Sequence, residues 1–64
     1  MEIFTLKGAR VNAGLTQKEA AAELGISNKT LCKWETGATM PDIRQASALC
    51  ELYGRKIEDI KFFP

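Results

Sequence analysis

The chain has 64 residues, a formal net charge of +1, 45% hydrophobic residues, two cysteines and no histidine. That length is one domain, residues 1–64, with apolar material for one small core. Without histidine or a C-x-x-C motif a zinc site is not expected, and no Gly-x-Ser-x-Gly or phosphate-loop motif suggests an enzyme or a bound cofactor.

The opening MEIFTLKGAR has no apolar run long enough for a signal peptide or a membrane span, which points to a cytoplasmic protein with reduced thiols. A first helix is predicted from about Phe4 to Ala13. Leu6, Ala9 and Ala13 form its inner stripe, Gly14 ends it, and Ile3 and Phe4 are expected to pack onto the core. Arg10 falls near that stripe, an odd place for a lone charge. Thr16 opens a second helix with Glu19 three residues on, a T-x-x-E capping box in which hydroxyl and carboxylate each satisfy an orphan amide. Ala20, Ala21 and Leu24 give its apolar stripe, and Gly25 can take the positive φ of a helix end. Ile26 lies inside the turn.

Ser27 can cap a third helix over about residues 28–36, with Leu31 and Trp34 facing inward and Gly37 closing it. Asn28, Lys29, Cys32 and Lys33 share its outward face, which is polar and carries two cations. A loop through Met40–Pro41 follows. Asp42, with Gln45 three residues on, can cap a fourth helix whose inner stripe is Ile43, Ala46, Leu49, Cys50 and Tyr53, with Gly54 ending it. A short fifth helix is predicted over about Ile57–Ile60, and Phe62-Phe63-Pro64 is an apolar ending. The expected fold is all-α: a compact five-helix domain with no sheet at its centre. A short extended segment at Lys61–Phe63 is compatible with that.

Helix, glycine turn and helix with a basic, amide-bearing outer face describes a helix-turn-helix, whose second helix enters the DNA major groove led by its N-terminal residues. A plain αα-hairpin with a solvated face fits the spacing equally. LTQKEAAAELGISNKTLCKWETG resembles the phage repressor/Cro-like, or XRE, family. Leu15-Thr16-Gln17, Glu19, Ala21, Leu24-Gly25-Ile26-Ser27, Thr30-Leu31 and Trp34-Glu35 with Gly37 carry that likeness. Leu6, Arg10, Pro41, Leu49, Gly54 and Ile57–Ile60 extend it over nearly the whole chain. The resemblance implies a repressor-like fold and double-stranded DNA as partner. It also implies a structural pair between Arg10 and Glu35, a carboxylate that Arg can hold with two hydrogen bonds. Three positions depart from it. Lys56 stands where the family usually has a serine cap, and Ala20 and Ala46 stand where it usually has leucine. Larger residues elsewhere are expected to fill that volume, with Trp34, Phe4 and the terminal phenylalanines as candidates.

Contacts divide into those that read bases and those that position. Asn28, Lys29 and Lys33 are the expected readers, since Asn can pair adenine N6 and N7 and Lys can reach guanine O6 and N7. Lys29 is open between base and phosphate. Gln17, in the first turn of the second helix, is the main phosphate candidate, as the resemblance also implies. Lys7, Lys18 and Thr39 are weaker ones, and Ser27 and Thr30 meet phosphate or a thymine methyl. Cys32, between two lysines, reads as a small residue bordering the DNA surface.

The expected function is sequence-specific regulation of transcription by a small homodimer, with no small-molecule ligand. Without room for an effector domain, the chain reads as a stand-alone Cro-like protein. The alternative is a protein-interaction module on the same fold, such as an antitoxin-like partner, which would favour apolar or acidic residues at Asn28, Lys29 and Lys33. Phe62 and Phe63 have two readings, a dimer contact in the region of the last two helices or a plug for the core left thin by Ala20 and Ala46.

Overall fold

A computed structural model describes residues 3–62. Four α-helices follow a two-residue strand: β1 Phe4–Thr5, α1 Leu6–Asn12, α2 Gln17–Leu24, α3 Asn28–Thr36 and α4 Ile43–Tyr53. A 3-10 turn at Ile57–Asp59 then leads into β2, Ile60–Lys61.

Each α-helix starts on a side chain. The Thr5 hydroxyl accepts the Gly8 amide at 2.9 Å, so Thr5 is extended and α1 begins at Leu6, two residues later than the pattern suggested. Thr16–Glu19 and Asp42–Gln45 both form reciprocal capping boxes. The box on α2 holds the Glu19 carboxyl below the usual carboxylate range. Ser27 Oγ accepts the Thr30 amide at 3.1 Å. At the far end of α2, Gly25 has φ +69°, and no atom lies within 4 Å of where a Cβ would stand. Backbone conformation rather than space therefore requires glycine in this turn.

The predicted fifth helix is corrected to a single 3-10 turn. Lys56 makes no side-chain cap hydrogen bond, so nothing nucleates a longer helix. The chain instead extends at Ile60, which pairs in parallel with Phe4, as Lys61 does with Thr5. This short two-stranded sheet at the edge of the helices ties the two ends of the fold together. Beside it the Arg55 guanidinium stacks 4.3 Å from the Phe4 ring centre and donates to Asn12 Oδ1.

Leu6, Ala9, Leu31, Trp34, Leu49 and Tyr53 are buried in one core shared by the helices. Ala20 is wholly enclosed in it, and Trp34, Phe4 and Phe62 pack into the same cluster. Ala46 differs, because it lines an open apolar groove of about 230 Å³ with Met40, Pro41, Asp42, Ile43, Ile57 and Phe62. Three expected inner positions are exposed: Ile3, Ala13, which lies past the end of α1, and Ile43, which is 73% exposed. Ile43 opens α4 at the rim of that groove, so its periodic position points past the edge of the core rather than into it.

Candidate nucleic-acid interface

The placement of α3 follows from its inner face. Leu31 is 0% exposed and Trp34 is 5% exposed, and both lock the helix onto the core. Asn28, Lys29, Cys32 and Lys33 are left exposed on the opposite face. The closing turn is fixed by the Ala38 amide donating to the Lys33 carbonyl at 2.9 Å. At the leading end, the Ser27 and Thr30 hydroxyls share a hydrogen bond of 2.8 Å. One of the two hydroxyl protons is thereby engaged between them.

Behind α3 lies a buried ion pair. Arg10 Nε donates to Glu35 Oε2 at 2.7 Å, and Arg10 Nη2 reaches Oε1 at 3.4 Å. Nη1 donates to the Leu15 carbonyl at 2.9 Å, just before α2. The two side chains are only 9% and 5% exposed. Desolvation offsets much of such a pair's attraction. Its consequence is geometric: one guanidinium on α1 fixes both the start of α2 and the flank of α3.

Gln17 joins this network, an arrangement the sequence did not suggest. Its Nε2 donates to Glu35 Oε1 at 3.2 Å. The amide retains one free N–H and its carbonyl, held in place by the buried carboxylate. Gln17, Lys7, Arg10, Cys32, Glu35 and Thr36 line one hollow of about 300 Å³ beside the outer face of α3. Among the other candidates, Lys18 and Thr39 are exposed outside that hollow, and Phe62 sits elsewhere, half-buried between core and groove. Phe63 lies outside the described residues. Among those residues no acidic, His or Cys cluster could hold a metal ion, and no helix is long and apolar enough to cross a membrane.

Tyr53, the last residue of α4, is buried as its inner-stripe position predicts, and its hydroxyl adds a feature the sequence did not flag. It is 4% exposed, and its hydroxyl has no hydrogen-bond partner among the described residues. Burial, reinforced by the Glu35 carboxylate and opposed by Arg10, pushes its phenol from 10.0 up to about 12. A pKa raised on folding contributes stability below the unfolded value and loses it as pH rises through the folded one. The thermal midpoint should therefore fall between pH 10 and pH 12, and Tyr53→Phe should remove the part of that fall due to the phenol. An identical alkaline profile for the variant would contradict the assignment.

The family pattern described as helix-turn-helix, HTH_3, matches residues 6–60. An uncharacterised HTH-type transcriptional regulator of Methanocaldococcus jannaschii is 38% identical over 55 residues, covering 86% of this chain and 83% of that protein. A similar uncharacterised regulator of Archaeoglobus fulgidus is 31% identical over 58 residues, covering 91% of this chain and 82% of that one. The HTH-type transcriptional regulator ImmR of Bacillus subtilis is 46% identical over 48 residues, 75% of this chain but only 38% of ImmR. No solved structure matches the chain significantly. With four helices, a glycine turn between α2 and α3, and a family match over nearly its whole length, the chain belongs to the XRE-type helix-turn-helix family.

Proposed function

We propose that the protein is a sequence-specific, DNA-binding transcriptional regulator of Cro/repressor type, acting as a homodimer on a palindromic operator. The observation that carries this reading is the division of α3 into a core-locked inner face and an exposed outer face bearing Asn28, Lys29 and Lys33. In this reading Asn28, Lys29 and Lys33 contact base edges. Gln17, Ser27, Thr30, Lys7, Lys18 and Thr39 engage phosphates, and the Arg10–Glu35 pair sets the angle at which α3 is presented. The relatives' names as transcriptional regulators support the same conclusion.

A single recognition helix reads only a few base pairs, so two subunits on half-sites about 34 Å apart are needed to single out a genomic site. Phe62, with the groove formed by Met40, Ile43, Ala46 and Ile57, supports a dimer surface, and Phe63 follows it directly in sequence. Three of these groove residues are exposed large hydrophobics: Ile43 at 73%, Ile57 at 47% and Met40 at 45%. Exposed apolar clusters of this kind mark interaction sites.

Selection from a random DNA pool tests the reading. The enriched sequences should hold inverted half-sites about one helical turn apart, with log K falling against log salt at a slope of roughly −3 to −5 per subunit. Ile43→Lys should give a folded monomer by sedimentation, because the wild-type side chain is mostly outside the core. A pool with no enrichment would refute the sequence-specific function, and a variant sedimenting like the wild type would refute this dimer surface.

A further inference from the structure

The two-stranded sheet brings a cation from the far end of the chain to the edge of the molecule that carries Lys7. Lys61 pairs with Thr5, and Ile60 with Phe4. Successive side chains of a strand point to opposite faces. Ile60 is 6% exposed and belongs to the core, so Lys61 is turned out to solvent beside Thr5. A slip of one residue would bury the lysine and expose the isoleucine, so the register fixes where this charge stands. Lys7 follows on α1, exposed in its first turn.

Lys61 and Lys7 line one hollow of about 230 Å³, together with the buried side chains of Leu6 and Trp34. Lys7 also lines the hollow of about 300 Å³ that holds Gln17, Cys32 and Thr36. Glu35 borders both hollows and is already matched by Arg10, so the charge left along this edge is that of the two lysines. Among the described residues, neither lysine is held in an ion pair. A run of amide and ammonium groups with its one carboxylate neutralised suits a polyanionic backbone.

We propose that Lys61 is a further phosphate contact, and that Gln17, Lys7 and Lys61 in turn follow one DNA backbone along this edge. The inference rests on the reading of Gln17 and Lys7 as phosphate contacts. Lysine carries a compact charge on a flexible stem, so it needs no exact geometry to meet a phosphate. The contact carries no sequence information and adds affinity on every duplex. The sheet that joins the two ends of the fold thereby widens the DNA footprint beyond α2 and α3.

The test is titration of the wild type, Lys61→Gln, Lys61→Arg and Lys56→Gln with a mixed-sequence duplex over a series of salt concentrations. Lys61→Gln should flatten the slope of log K against log salt by about 0.9 per subunit, the share of one phosphate contact. At low salt it should weaken binding about tenfold. Lys61→Arg keeps the charge and should keep the slope. Lys56 is exposed and lines neither hollow, so Lys56→Gln makes the same change in net charge and should leave the slope unaltered.

If the affinity of the wild type does not fall with salt, the phosphate reading fails and this inference falls with it. If the wild-type slope is steep and Lys61→Gln matches it, the Lys61 contact alone is overturned. Equal flattening by Lys61→Gln and Lys56→Gln overturns it too, since net charge rather than position would then be responsible. So does a flattened slope in Lys61→Arg, which would trace the effect to something other than the charge.

Discussion

Glu35→Ala should bring the domain close to unfolding, with a loss of about 3–5 kcal/mol. The reason is the guanidinium it leaves behind. Arg10 is 8% exposed, and without Glu35 its Nε and Nη2 have no carboxylate. Removing one member of a buried pair has an effect of that size because the surviving charge stays desolvated. A domain of this length has a total stability of about 3–10 kcal/mol at the usual value per residue. Arg10→Ala should be nearly as damaging, since it strips the carboxylate of its ion-pair partner and frees the Leu15 carbonyl. The double variant Arg10→Met, Glu35→Leu should lose less than either single change, because neither charge is then left unpaired. Urea midpoints of the four proteins decide the matter. Single variants that each lose less than about 1 kcal/mol would place the pair in the class of solvated surface bridges.

Leu49→Ala has the second large effect, a loss of about 2–5 kcal/mol. Leu49 is 0% exposed, and among the described residues Leu31 is the other large side chain so fully enclosed. Truncation deletes its burial and leaves a cavity between helices that are already packed around small residues, Ala9, Ala20 and Ala21. Ile43→Ala, on the same helix, should change monomer stability by less than about 0.5 kcal/mol, since 73% of that side chain is already exposed. Denaturant curves of the two variants therefore test which way α4 faces. Similar losses would mean that Ile43 is a core residue.

That contrast also shows what could be read from the residues alone. Periodicity placed Ile43 and Leu49 on one stripe, because it reports direction around a helix and not where the core ends along it. Ile43 is the first residue of α4 and projects past the last packed neighbour. The starts of α2, α3 and α4 were legible because capping is local chemistry. Thr16 with Glu19 and Asp42 with Gln45 lie within four residues of each other, and both boxes form. The fifth helix misled because its apolar ends, Ile57 and Ile60, fit a helical turn equally well. Its fate was settled by Phe4, far away in sequence, which pairs with Ile60 in a strand. Arg10 illustrates the same limit at the site. Spacing alone left it as an unexplained charge on an inner stripe, while its partner stands 25 positions on. The Gln17–Glu35 hydrogen bond was illegible for a related reason, since it exists only once α2 and α3 have packed.

The most direct test of a DNA-reading α3 is titration of Asn28→Ala and Gln17→Ala against the selected operator and a scrambled duplex at one salt concentration. Asn28 is the first residue of α3 and is exposed, so under the proposed function it is the reader placed furthest into the groove. Asn28→Ala should lose about 1–3 kcal/mol on the operator, confined to one base position, and almost nothing on scrambled DNA. Gln17→Ala should weaken both duplexes by similar factors. If Asn28→Ala weakens operator and scrambled DNA equally, or neither, the outer face of α3 does not read sequence and the proposed function is contradicted.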